Sequence, residues 1–479
     1  MRRELSRLVS GWRWRDHWLF ALLMAGGIVL RTLAVIAYRP ALVFYGDSYF
    51  YLTNAASLRT ASLHPAGYAV LLAALSRFGG SVMAVAIAQH LLGIASGAIV
   101  YALLLRHNIR PWLAAIGSAP LLLDGYQIDL EHMVMAETLT TFLLVAAFAL
   151  LLWRPTPARW QIVGAAACVA WAAVTRSDAI VAIIPAALLL LGRRRSQLVR
   201  TGLLAAPFVA LLFAYAALHA AYNGNFTIGG NLGTGMLLYG RTATFADCNA
   251  IPKSDLSLCD TKRTVDARLR ANFYLWSPES PMRKRFGDSP STYLVPEAPL
   301  TTFALDTIRA QPLDYLRVTT LDTAKYFQPL RTTGPQDEPL MDWRFPTAIK
   351  WEPNVFVADQ GFVKPGEVIP SSVCPVLVTW AADFLNDYQT VGFTPGPVLL
   401  LAVVLVIVGV LGRRGSRPAI LLTVAGLLIL FVSSAVLEFD YRYLLPAQPL
   451  IVMGGVLSLR QFRFATRDGG QISRRLGSS

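Results

Sequence analysis

The sequence predicts a mainly α, polytopic membrane bundle of about ten spans, with a mixed α/β extracytoplasmic domain inserted between spans seven and eight. Composition is the first reason. Apolar residues make up 54% of the 479 and charged residues only 15%, against roughly 25% charged in a soluble chain. Mean hydropathy is +0.48. The second reason is a series of apolar runs bounded by charge or Pro. The third is the confinement of Arg to alternate ends of those runs.

The runs are about 18–38, 82–105, 111–124, 137–153, 160–175, 178–192, 201–221, 395–412, 418–437 and 443–459. Several fall short of the roughly 20 residues that cross a bilayer upright. The run 111–124 and the pair 160–175 and 178–192 read as broken or buried helices inside the bundle. No internal repeat of 20–50 residues is visible, and the halves lack the matched broken helices of an inverted-repeat transporter.

The net charge of +14 is topological rather than a nucleic-acid footprint. Residues 222–394 hold 16 basic and 18 acidic residues, whereas the remainder holds 27 basic residues, all Arg, and 11 acids. With the N-terminus inside, the segments 1–17, 106–110, 154–159, 193–200, 413–417 and 460–479 carry 21 of those Arg, and the other side carries 6. The positive-inside rule then puts both termini in the cytoplasm of a plasma-membrane protein. The first run reads as a signal anchor, since no A-x-A site follows it.

Residues 222–394 therefore lie outside. The chain divides into a membrane module at 1–222, an extracytoplasmic domain at 223–394, and a second membrane module with a basic tail at 395–479. Cys248 and Cys259, eleven positions apart on an oxidising face, are expected to pair; the alternative is two free thiols. The Gly-rich stretch 229–235 has no Lys-Ser/Thr after it and is a hairpin rather than a phosphate loop.

Eight of the eleven acids of the membrane half fall on the outer side. Ionisable groups at that depth are candidates for function. Asp47 stands alone in Phe44-Tyr45-Gly46-Asp47-Ser48-Tyr49-Phe50-Tyr51, where it is a general base, a metal ligand or a helix cap. His64 follows in His64-Pro65-Ala66-Gly67-Tyr68 and is a candidate phosphate contact or an interfacial His. The second outer loop carries Asp124, Asp129, Glu131, His132 and Glu137. Glu131 and His132 are candidate ligands for a divalent cation such as Mg or Mn. Arg176, beside Asp178, and Arg442, in Glu438-Phe439-Asp440-Tyr441-Arg442-Tyr443, are candidate anion binders, because the guanidinium fork matches phosphate. The bland reading of the last loop is an aromatic belt with a snorkelling Arg.

Taken in order on one face, these pieces resemble the GT-C superfamily of polyprenyl-phosphate-sugar glycosyltransferases. That group includes protein O-mannosyltransferases, aminoarabinose transferases and actinobacterial arabinofuranosyltransferases. The carrying elements are Asp47, His64–Tyr68, Ala136-Glu137-Thr138-Leu139, Thr175-Arg176 and Tyr441–Pro446. The resemblance implies an actinobacterial chain and an inverting transfer from a polyprenyl-phosphate sugar to an acceptor hydroxyl of an envelope glycan, lipid or protein. Asp47 would be the base and Glu137 the second-loop acid. Arg176, Arg442, Arg241, His64 and Tyr441 would bind the donor phosphate. Two departures are plain: Asp47 has no adjacent acid, and the soluble domain precedes the last spans. A flippase of lipid-linked sugars and a non-catalytic envelope scaffold are the competing classes. A flippase needs polar groups near the midplane, and here the acids gather at one face.

Overall fold

The computed structural model describes residues 14–44, 47–57, 64–77, 82–224, 226–229, 234–287, 296–348 and 376–460. Each of the ten apolar runs carries a helix. In the first module these are α1 (Trp18–Ala37), the short α2 (Asp47–Ser57) and α3 (Gly67–Ser76), α4 (Val82–Arg106), α5 (Pro111–Leu123), α6 (Gly125–His132), α7 (Glu137–Leu152) and α8 (Arg159–Thr175). A 3-10 segment, Ser177–Ala182, leads into α9 (Ile183–Leu190), and α10 (Arg195–Asn223) closes the module.

The helices run up and down. Those that start beside an Arg cluster, such as α8 and α10, end at the acidic side, and α7 starts there at Glu137. At the Arg-rich end Arg106 donates to the Trp153 carbonyl at 2.8 Å, and Arg417 reaches the Leu191 carbonyl at 2.6 Å. Such contacts satisfy helix-end carbonyls and suit cations.

Four described helices are long and apolar enough to cross a membrane: α1, α4, α10 and Arg417–Val436. Thr379–Val391 and Gly396–Leu411, bent by 40°, would make a fifth as one span. Helices such as α5 and α7, at 1.5 Å per residue, are only about 20–24 Å long, short of the roughly 30 Å hydrocarbon core. They are packed inside the bundle instead, and α7 is buried on nearly every face. Exposed Leu22, Phe213, Leu401 and Ile407 give α1, α10 and Gly396–Leu411 their apolar outer surface. Only lipid suits surface of that extent, and the chain is membrane-embedded.

In the inserted segment the regular elements are α11 (Thr234–Ala243), α12 (Ala271–Trp276), α13 (Pro281–Phe286), α14 (Glu297–Ala310) and α15 (Pro312–Lys325), with 3-10 turns between them. Among the described residues of the insertion one short strand accompanies these helices. Among the described residues the one sheet pairs β1 (Tyr38–Arg39) with β2 (Val376–Leu377), two residues each. The 3-10 turns Lys253–Leu258 and Leu340–Trp343 each follow a Pro, which has no backbone donor to give a strand ladder. The described residues of the insertion contribute to two cores. Met236, Tyr239, Tyr274, Leu300 and Phe303 build a core of their own, whereas Tyr326 and Trp343 belong to the bundle core. A disulfide joins Cys248 and Cys259 in the first of these, with Cα atoms 5.8 Å apart.

The chain finishes with α16 (Thr379–Val391), α17 (Gly396–Leu411), α18 (Arg417–Val436) and α19 (Leu444–Ser458). Helix α19 is the hub and packs on α4, α5, α7, α17 and α18. Gly454 permits this: a Cβ there would lie 2.7 Å from the Ala419 carbonyl oxygen.

Candidate active site

Backbone pairing brings together the loop after α1 and the loop before α7. Leu42 N donates to the His132 carbonyl at 3.1 Å, and Val134 N to the Leu42 carbonyl at 3.0 Å. Ser48 Oγ adds a bond to the Val134 carbonyl at 2.9 Å. Asp47, which begins α2, is thereby held beside the loop that ends at Glu137, the first residue of α7. Arg176 follows the last residue of α8, and Arg442 lies in the 3-10 turn Tyr441–Tyr443 between α18 and α19.

These four side chains meet. Arg442 Nη1 bonds Asp47 Oδ2 at 2.7 Å, and Arg442 Nε lies 2.8 Å from Asp440 Oδ2 and 3.9 Å from Glu137 Oε1. Arg176 Nη1 donates to the same Glu137 oxygen, while its Nη2 holds Asp178 at 3.0 Å. Ser433 Oγ donates to Asp178 at 2.8 Å. His64 Nε2 closes the far end on Asp47 Oδ1 at 3.0 Å. Two guanidiniums thus serve four carboxylates in one continuous network.

Burial grades along it. Glu137 is fully buried, Arg442 and Arg176 show 11% and 13% of their side chains, and Asp47 and His64 show 20% and 25%. The Asp47–His64 end is therefore the open one. Burial pushes the Asp47 carboxyl up, but His64 and Arg442 more than offset it and hold the group well below the usual carboxylate range. Asp440 goes the other way. Burial, with the Glu338 and Glu137 carboxylates, outweighs Arg442 and pushes its carboxyl up to about 7.

Aromatic rings enclose the cations. The Arg176 guanidinium carbon lies 4.9 Å from the Tyr443 ring centre, and that of Arg442 lies 5.1 Å from it. Phe44 at 5.5 Å and Trp343 at 5.1 Å cover Arg442 as well. Such contacts attract a cation and exclude water from it.

Two of the expected phosphate contacts are placed elsewhere. Tyr441 is turned onto the insertion: its hydroxyl accepts from Thr332 N at 3.1 Å. Neighbours in a 3-10 turn point about 120° apart, so Tyr443 takes the position beside the arginines. Arg241 is buried in α11 and pairs with Asp322 at 2.6 Å; among the described residues no contact joins it to Arg176 or Arg442.

Glu131 and His132 are not arranged as cation ligands. Glu131 is taken by Arg31 through two bonds, at 2.7 and 2.8 Å, by His90 Nδ1 at 3.0 Å and by Gln127 at 2.9 Å. His132 has one ring nitrogen on His90 and the other on the Tyr38 carbonyl. Among the described residues no group of three His, Cys, Asp or Glu is placed to hold a metal ion. Gly93 makes room for this knot, since a Cβ there would overlap the Glu131 carboxylate.

Sequence reasoning passed over Asp178, Asp440 and Tyr443 as site members, although each adjoins a chosen Arg. Ser433 and Trp343 carried no sequence signal at all.

No family model and no curated protein matches this sequence. Solved structures similar to it include a chain of the S. cerevisiae protein O-mannosyltransferase Pmt1-Pmt2 complex bound to the sugar donor. Identity there is 15% and the TM-score 0.36, over 49% of this chain and 36% of that one. The chain therefore spans about a third of the length of that mannosyltransferase chain. ArnT from Cupriavidus metallidurans bound to undecaprenyl phosphate is similar at 12% identity and a TM-score of 0.37, over 91% of this chain and 77% of that one. Its apo form gives 13% and 0.35, over 92% and 76%.

Proposed function

We propose that the chain is a membrane glycosyltransferase. It moves a sugar from a polyprenyl-phosphate donor to an acceptor hydroxyl of an envelope glycan, lipid or protein, at the outer face. The observation that carries this is the convergence of Arg176 and Arg442 with Asp47 at one end of a lipid-facing bundle. A lipid-phosphate sugar has its leaving group built in, so the protein must hold the phosphate, stabilise its developing charge and orient an acceptor.

The network suits that work. Arriving phosphate oxygens replace carboxylates on Arg442 and Arg176, which keep their charge throughout. Asp47 then loses the cation that depressed its basicity and becomes able to take the acceptor proton. The acceptor oxygen bonds to the anomeric carbon from the face opposite the phosphate. The carbon–oxygen bond to phosphate breaks, and the lipid phosphate leaves with the electron pair. Inversion follows from this single displacement. Glu137, buried and shared by both arginines, keeps their forks aligned.

In this reading both termini are cytoplasmic, and residues 222–394 are extracytoplasmic. The test is to supply polyprenyl-phosphate sugars to the purified protein in lipid vesicles with candidate acceptors, and to follow release of free polyprenyl phosphate. Release coupled to glycosylated acceptor supports transfer; donor moved across the vesicle wall intact supports a flippase.

A further inference from the structure

Among the described residues through which the insertion meets the site, Trp343 is the one whose ring lies against Arg442. It comes from a 3-10 turn, Leu340–Trp343, 99 residues before Arg442 and more than 160 after Asp47, Glu137 and Arg176. Its side chain is 1% exposed. Its ring centre lies 5.1 Å from the Arg442 guanidinium carbon and 4.6 Å from the Phe44 ring. Phe44 in turn adjoins the loop that carries Asp47. The indole thus packs on the Arg442 guanidinium and on the ring of Phe44.

The backbone of Trp343 is anchored independently of the site. Gln389 of α16 donates to the Trp343 carbonyl at 2.8 Å and accepts from Phe345 N at 2.9 Å. Gln389 itself packs against Gly125, at the start of α6. The ring is therefore held by a scaffold outside the ion-pair network. It keeps its place when the network's carboxylates are exchanged for phosphate oxygens. Of the other rings on Arg442, Tyr443 adjoins it in sequence and Phe44 belongs to the Asp47 loop.

The ring face, rather than the indole N–H, makes the contact. Trp343 Nε1 has no hydrogen-bond partner among the described residues, so the ring interaction with Arg442 is what the side chain supplies. A flexible Arg left without its wall would spread over the rotamers open to it, at an entropic cost on binding.

We propose that Trp343 is a positioning residue for Arg442, through which the insertion completes the donor-phosphate site. The inference rests on the proposed role of Arg442. It makes the insertion a part of donor binding, in addition to any contact with acceptor.

The experiment is a double-mutant cycle on the full-length protein in detergent, with a short-chain polyprenyl phosphate as titrant and turnover of its sugar conjugate measured in parallel. Trp343→Leu is expected to weaken binding about 3–30-fold, the range of a desolvated cation–π contact. It should raise KM by a similar factor and leave kcat within about threefold. Trp343→Phe keeps a ring face and should recover most of the affinity. In an Arg442→Ala background the Leu change should cost nothing further, because the partner is gone.

Equal costs of Trp343→Leu with and without Arg442, at an unchanged melting temperature, would overturn the proposal. So would Trp343→Leu binding as tightly as the wild type. A wild-type protein that does not bind the lipid phosphate overturns the role of Arg442 as well, and that outcome is seen before any variant is compared.

Discussion

Arg442 and Asp47, 395 residues apart in the chain, share an ion pair of 2.7 Å at the open end of a buried charge network. The pair ties the loop after α1 to the loop before α19. It also couples the two jobs that a transferase site must do, since one partner is the candidate phosphate ligand and the other the candidate base. In the proposed mechanism, occupying the first releases the second.

Removing either cation should weaken donor binding. Arg442→Ala and Arg176→Ala are each expected to lose about 10–100-fold in affinity for polyprenyl phosphate, the scale of one charge-assisted bond. Lys should restore only part, because it lacks the bidentate fork. Titration of the lipid phosphate into each purified variant checks this. Unchanged affinity in both would place the phosphate elsewhere.

The Arg31–Glu131 pair is structural in this account. Arg31→Leu leaves a fully buried carboxylate with only His90 and Gln127, and breaking such a pair costs about 3–5 kcal/mol. The melting temperature should fall sharply, while donor affinity of the folded fraction stays near the wild-type value. Full stability in this variant would mean that the knot is not holding α1, α4 and α6 together.

Stability should depend on pH through the loop before Arg442. Burial, then the neighbouring Glu338 and Asp440 carboxylates, raise the Glu438 carboxyl well above its ordinary range despite Arg270. Asp440 is raised to about 7. At low pH these groups are protonated in folded and unfolded chains alike and contribute nothing. As pH rises past the ordinary carboxylate range, the unfolded chain releases protons that the folded one keeps, so stability falls. For Asp440 that fall levels off above about pH 7. Glu438→Gln should raise the melting temperature at pH 8 and flatten its pH dependence. No gain at pH 8 would contradict the assignment.

The Cys248–Cys259 bond closes a loop of about ten residues, which stabilises by roughly 2–3 kcal/mol when unstrained. Reductant should lower the melting temperature of the wild type and leave Cys248→Ser/Cys259→Ser unaffected. Two thiols that label without reductant would remove the claim.

Much of the bundle was legible because apolar runs and Arg clusters report burial and sidedness directly. Asp47, Glu137, Arg176 and Arg442 stood out as charges that a helix would otherwise expel, and they do converge. What was not legible depends on direction rather than on composition. Tyr441 and Tyr443 flank the same Arg, and only the turn decides which ring faces Arg176. Glu131 looked like a free ligand because its partner, Arg31, lies in an apolar run 100 residues away. Trp343 belongs to a segment whose packing on the bundle no local pattern announces.

The central claim is that Asp47 takes the acceptor proton while Arg176 and Arg442 hold a lipid phosphate. Its most direct test is Asp47→Asn, assayed for donor binding and for single-turnover release of polyprenyl phosphate in the same preparation. The account predicts donor binding at least as tight as in the wild type, with turnover reduced by ~10²-fold or more, the scale of a lost general base. Near-normal turnover in Asp47→Asn, beside an active wild type, would contradict it and move the base to Glu137.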